Sequence, residues 1–139
     1  IEKITSNYRE IKVSMNLKKF NTNYVGVHFG GSIYSMCDPW WMLMVMENIG
    51  KKYVVWDQKA QVHFVRPGTG KINLHLKLTE KQILEIKKET KNGKIFQPNF
   101  PVIIKNDSDK VVAKITKTLF IQEKISFEKR RAKKSRKTT

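Results

Sequence analysis

Residues 32–49 read Ser32-Ile-Tyr-Ser-Met-Cys-Asp-Pro-Trp-Trp-Met-Leu-Met-Val-Met-Glu-Asn-Ile49, and this stretch decides the fold. Its apolar residues run nearly all the way round a helical projection, the pattern of a helix buried within a core. Gly50 closes the run. Pro39 interrupts it, because proline has no N–H to donate and its ring crowds the carbonyl four residues back. Two joined helices or one kinked helix are predicted, with Asp38-Pro39 as a candidate N-cap and first residue of the second piece.

Outward from this helix the period changes to two. Residues 9–17 alternate apolar and polar through Ile11, Val13, Met15 and Leu17, as a half-buried strand does. Beyond Gly50, the residues Val54, Trp56, Gln58, Ala60, Val62 and Phe64 are predicted to share one face of a long strand. After Gly68-Thr69-Gly70, a second strand carries Ile72, Leu74, Leu76 and Leu78. Thr79-Glu80-Lys81-Gln82 is a capping box opening a short helix, which should run to Lys91 and stop at Asn92-Gly93. Two more strands, Ile95–Ile104 and Val111–Ile121, follow around the polar turn Asn106-Asp107-Ser108-Asp109. An α+β fold results, in which a curved antiparallel sheet wraps one long buried helix.

The chain has 139 residues, the size of one domain with a real core. Residues 1–123 are expected to form that domain and residues 124–139 a flexible basic tail. The net charge is +16, of which residues 124–139 supply +7 (eight Lys and Arg against Glu128), leaving +9 for the body. Such a charge favours anionic partners: nucleotide phosphates, an acidic carrier protein, or nucleic acid through the tail. A single cysteine, Cys37, excludes an internal disulfide and a cysteine-rich zinc site, and no metal is expected. No apolar run is long enough to span a bilayer and no signal peptide is evident, so a cytoplasmic setting is expected.

Chemistry concentrates in Asn23-Tyr-Val-Gly-Val-His-Phe-Gly-Gly-Ser-Ile-Tyr-Ser-Met-Cys-Asp38. Gly30-Gly31 stands where a helix begins, and the unpaired N–H groups of a helix start favour a developing oxyanion. Asp38, among apolar or small residues, is a candidate base or nucleophile, although helix capping alone would also account for it.

The same residues resemble the signature of the phenylacetate-type hotdog thioesterases, Asn-x-x-Gly-x-x-His-Gly-Gly with Asp or Glu seven residues after the second glycine. Asn23, Gly26, Gly30, Gly31 and Asp38 match it, whereas Phe29 stands at the histidine position and His28 is displaced by one. The longer strings Phe29–Met44, Tyr53–Asp57 and Phe64–Gly68 are similar to an uncharacterised subfamily of thioesterase-like hotdog proteins, over about residues 8–123. The resemblance implies a hotdog fold and hydrolysis of an acyl thioester of coenzyme A or acyl-carrier protein. Coenzyme A would enter only as part of the substrate. Backbone N–H groups at Gly30, Gly31 and Ser32 would polarise the carbonyl while Asp38 activates water or attacks. Seven helical residues span roughly 10 Å, so Asp38 cannot sit beside its own chain's oxyanion donors. A homodimer or dimer of dimers is therefore expected, with the site at the interface. The alternative is a non-catalytic acyl-binding or nucleic-acid-binding module.

Asn23, His28, Phe29, Ser32, Ser35 and Arg66 are candidate substrate contacts, and Lys59, Arg66 and Lys71 could meet coenzyme A phosphates. Each has a plainer reading: Asn23 as a loop stabiliser, His28 as a loop or interface histidine, Ser35 as a helix-packing residue. Asp57 and His63, expected on one strand face, do not fit the spacing of the hydratase signature of hotdog relatives. Gly68-Thr69-Gly70-Lys71 lacks the remaining P-loop residues and is a hairpin turn.

Overall fold

The computed structural model describes residues 1–136. Strands β1 (Lys3–Ile4), β2 (Glu10–Asn16), β3 (Tyr53–Phe64), β4 (Lys71–Lys77), β5 (Asn99–Asn106) and β6 (Val111–Glu123) form one sheet in the order β1-β2-β4-β5-β6-β3, every neighbouring pair antiparallel. Helices α1 (Gly30–Cys37) and α2 (Trp40–Ile49) lie in its concavity, α3 (Glu80–Glu89) follows β4, and α4 (Lys124–Ser135) follows β6. This is the hotdog fold.

The apolar run divides as its proline requires. α1 ends at Cys37, α2 begins at Trp40, and Trp40 Nε1 donates to Met36 O at 2.6 Å across the break. Ile33, Met36, Trp41, Met44, Val45 and Ile49 are buried against the sheet residues in phase with them, among them Ile11, Leu74, Val102 and Leu119. Such side chains each contribute about 1.5–3 kcal/mol when fully buried, so this seam supplies most of the cohesion of the fold. Trp41 stacks on Phe100 with ring centres 4.7 Å apart and donates from Nε1 to Pro101 O. The capping box forms as predicted: Gln82 N donates to Thr79 Oγ1 at 3.2 Å and Thr79 N to Gln82 Oε1 at 2.9 Å.

Three features depart from the sequence expectation. The first is β3, which carries a bulge between Asp57 and Lys59. Trp56 stands opposite Phe120 and Ala60 opposite Lys117, so these two residues point to opposite faces rather than sharing one. By the same shift Asp57, opposite Leu119, faces the helices, whereas His63, opposite Lys114, faces away. The second is β5, which begins at Asn99, with Phe96 held to Ile121 only by an isolated bridge. Pro98 and Pro101, lacking N–H donors, leave this segment short of ladder bonds.

The third is the basic segment, expected as a loose tail. It is helical over Lys124–Ser135, while residues 137–139 lie outside the described residues. Phe127 seats α4 on the outer face of the sheet, edge-on to Trp56 at 5.2 Å and to Phe120 at 6.1 Å. Arg130 lies over both phenylalanine rings, 5.2 and 5.5 Å from their centres. Among the described residues no helix is long and apolar enough to cross a membrane.

Candidate functional site at the two ends of α1

α1 begins at Gly30 because Phe29 is extended (φ −62°, ψ 132°) and the chain turns directly into helix. No side chain caps this end. The first N–H groups of a helix have no partner four residues back, so those of Gly30, Gly31 and Ser32 form a positive, unpaired corner. Aromatic rings pack against its two glycines. A Cβ on Gly30 would lie 2.9 Å from the Phe64 ring, and one on Gly31 would lie 2.4 Å from the Phe29 ring. Only glycine permits both rings to approach so closely.

Beside this corner is a cleft of about 480 Å³, lined by Met15, Phe20, Phe29, Gly31, Ser35 and Met36, with Asn21 and Ser32 completing it. Of the residues proposed from sequence, Gly31, Phe29, Ser32 and Ser35 therefore come together. Ser35 Oγ donates back to Gly31 O at 2.8 Å, an i−4 bond within the helix. Gly30 sits one residue before the lining, under Phe64.

The remaining candidates lie elsewhere. Asn23 Oδ1 accepts from the N–H groups of Val25 and Val27, both at 3.1 Å, which shapes the loop ahead of α1. His28 is buried, with Nε2 2.9 Å from Gly70 O, so its imidazole ties that loop to the β3–β4 turn. Arg66 is exposed beyond the end of β3, Lys59 is exposed on the outer side of the bulge, and Lys71 pairs with Glu2 at 2.8 Å.

Asp38 closes the other end of α1. Its backbone is helical (φ −53°, ψ −51°) and its N–H donates to Tyr34 O. The carboxylate does not cap α2, whose start has no side-chain cap. It instead meets Lys117 of β6 in a hydrogen-bonded ion pair. Lys117 was absent from the sequence candidates, yet its side chain is 0% exposed. Its Nζ also lies 3.0 Å from Asp57 Oδ1 and donates to Tyr34 Oη at 3.1 Å. The Asp57 contact is an ion pair without hydrogen-bond alignment, since that oxygen has no aligned donor. A signal for Lys117 existed in the sequence. It stands in phase with Ala113, Ile115, Leu119 and Ile121, where an alternating strand turns apolar residues inward.

The electrostatics follow from burial and partners. Burial opposes ionisation of Asp38, but hydrogen bonds from Lys117 and Tyr34 prevail and hold its carboxyl below the ordinary carboxylate value. Burial likewise opposes the charge on Lys117, and its interactions with Asp38, Asp57 and Tyr34 overcome that and raise it above an ordinary lysine. Burial pushes the neighbouring Cys37 thiol up to about 11, so it is protonated at neutral pH. Tyr34 is raised as well, first by burial and then by Asp38.

Residues 1–121 match the family described as a domain of unknown function, DUF4442. The chain belongs to the DUF4442 family. Solved structures share its fold at low identity. A Pseudomonas aeruginosa protein of unknown function, described as a probable thioesterase, superposes with a TM-score of 0.72 at 14% identity, covering 83% of this chain and 77% of that one. A thioesterase of Staphylococcus aureus gives 0.63 at 13% identity, covering 88% and 91%. One from Haemophilus influenzae gives 0.57 at 16% identity, covering 83% and 73%. No curated protein matches the chain. Within this DUF4442 chain, the uncapped start of α1 and the charged cluster at its end are separated by the length of the helix.

Proposed function

We propose that this DUF4442 protein hydrolyses an acyl thioester, carried by coenzyme A or an acyl-carrier protein, at a site completed by a second copy of the chain. The observation that carries the reading is the uncapped N-terminus of α1 opening beside an apolar cleft. A thioester carbonyl directed at the N–H groups of Gly30, Gly31 and Ser32 would gain stabilisation as its oxygen becomes negative under attack. The acyl group would lie along Met15, Phe20, Phe29 and Met36, an adaptable apolar surface. Asp38, held ionised, is the candidate to accept a proton from the attacking water or to attack the carbonyl itself.

Eight residues of α1 separate these parts by about 12 Å at 1.5 Å per residue. One chain therefore cannot bring its own Asp38 to its own oxyanion donors. Two features of the single chain favour a partner. β3 is a twelve-residue edge strand whose outer side is unpaired among the described residues. Phe20, Tyr24, Val25, Phe29, Phe64 and Val65 leave apolar surface exposed around the start of α1. Long apolar edges of this kind are normally covered. That this chain shares its fold with proteins named as thioesterases supports the same reading.

The test is thiol release from short, long and aromatic acyl-CoA thioesters, with sedimentation to establish the oligomeric state. Turnover that is lost in Asp38→Ala, from a dimeric or larger protein, is expected. Silence across the panel from folded, dimeric protein, and with acyl-carrier-protein thioesters as well, would leave an acyl-binding role. A second reading rests on α4, whose exposed Lys124, Lys129, Arg130, Arg131, Lys133 and Lys134 form a dense cationic helix. If it binds nucleic acid, affinity falls steeply with salt and disappears on removal of residues 124–139, while thioester turnover persists.

A further inference from the structure

We propose that Lys117 is the positioning residue for Asp38, fixing the orientation and charge of its carboxylate at the end of α1, with Asp57 as the second anchor of the ammonium. This rests on the hydrolase reading above and assigns the residue that prepares its acid group.

An ammonium has three N–H bonds. Lys117 donates to Asp38, its ammonium lies 3.0 Å from Asp57 Oδ1 as an ion pair, and it donates to Tyr34 Oη at 3.1 Å. Each comes from a different part of the fold, the end of α1, the bulged part of β3 and the middle of α1. Enclosed by these three neighbours and with its side chain 0% exposed, Lys117 is out of reach of a substrate. Asp38 differs. Its side chain is 45% exposed, so one edge of the carboxylate is held by the cation while another meets solvent. A carboxylate anchored by a cation yet 45% exposed is suited to orienting a water molecule.

Asp57 gives the arrangement its second purpose. A cation shared by two carboxylates is over-determined in position, because moving towards one moves it away from the other. Its side chain is 27% exposed, less than that of Asp38, and it lies on the inward face. The titratable groups around Asp38 are Tyr34 and Cys37 of α1, Asp57 of β3 and Lys117 of β6.

The experiment follows the side-chain carboxyl carbon of Asp38 by NMR titration, together with the pH profile of thioester hydrolysis. In Lys117→Met, burial is no longer opposed, so the Asp38 transition is expected to move to higher pH. In Asp57→Asn the cation is no longer shared, and the transition is expected to move lower. In Lys117→Met the acid limb of kcat/KM should follow the NMR shift. Its kcat should fall ~100-fold, the scale of a displaced catalytic group, with KM nearly constant. Lys117→Arg, which keeps the charge, should leave the NMR transition close to that of wild type, and Asp57→Asn carries the test if Lys117→Met proves too unstable to study. An Asp38 transition unmoved in folded Lys117→Met, or not lowered in Asp57→Asn, would overturn the proposal. The titration needs no substrate. Failure of every thioester to react would thus remove the hydrolase reading while the ion-pair assignment is decided separately.

Discussion

Asp57 and Phe64 face the same side of β3 although they are seven residues apart, an odd spacing that would set them on opposite faces of a regular strand. Asp57 stands opposite Leu119 and Phe64 opposite Ala113, and both partners are buried core residues. The bulge at Gln58 makes this possible by adding one residue to β3 without a counterpart in β6. Phe64 consequently covers the start of α1 at Gly30, while Asp57 reaches the lysine that holds Asp38 at its end.

Deleting Gln58 tests the bulge. A regular strand would force either Tyr53–Asp57 or Lys59–Phe64 into the wrong phase against β6. Deletion should cost more than about 3 kcal/mol by urea unfolding, whereas Gln58→Ala, which keeps the backbone count, should stay within about 0.5 kcal/mol.

Removing the buried cation should be costly for stability. Lys117→Met leaves two carboxylates without their counter-charge, and about 3 kcal/mol of destabilisation is expected, towards the low end for a buried pair because Asp38 is part-exposed. A triple variant, Lys117→Met with Asp38→Asn and Asp57→Asn, should recover most of that loss. Urea midpoints of both proteins decide it. A triple variant no more stable than the single one would show that shape, rather than charge, governs the cluster.

Cys37 should be inert in the folded protein. Its thiol is buried and pushed up to about 11, and Sγ donates to Tyr34 O at 3.1 Å. Reaction with a thiol reagent at pH 8 should proceed at the rate of global unfolding and accelerate sharply in denaturant. Rapid stoichiometric labelling of native protein would contradict the burial.

Acid should weaken the β2 edge of the sheet. Hydrogen bonds from Lys3 and then from His75 hold Glu10 down at about 2, against an ordinary 4.5. Its folded value lies below its unfolded one, so the stabilisation is complete above about 4.5 and is lost as pH falls towards 2. Asp38, lowered in the same direction, adds to the same limb. Thermal midpoints recorded between pH 6 and 2 should fall less steeply for Glu10→Gln than for wild type.

Most of the fold was legible because local rules dictate it. The apolar run 32–49 had to be buried, its proline had to break it, Thr79 and Gln82 had to cap a helix, and alternation marked β2, β4 and β6. Each of these depends on neighbours a few residues away, and period and propensity record such neighbours directly. The uncapped Gly30-Gly31 helix start was legible for the same reason.

The charged cluster was not. Asp38 and Lys117 are 79 residues apart in the chain, and only closure of the sheet around α1 brings them together. The bulge escaped because one unpaired residue leaves the composition of β3 unchanged while reversing the phase of everything after it. α4 escaped because its sequence is strongly basic, and its attachment depends on one residue, Phe127, finding Trp56 and Phe120 on the outer face. The sequence alone determined the buried helical run, its break at the proline, the capped α3 and the alternating strands β2, β4 and β6. Which cation meets which carboxylate was decided by tertiary structure, because ion pairing acts through space and leaves no period along the chain.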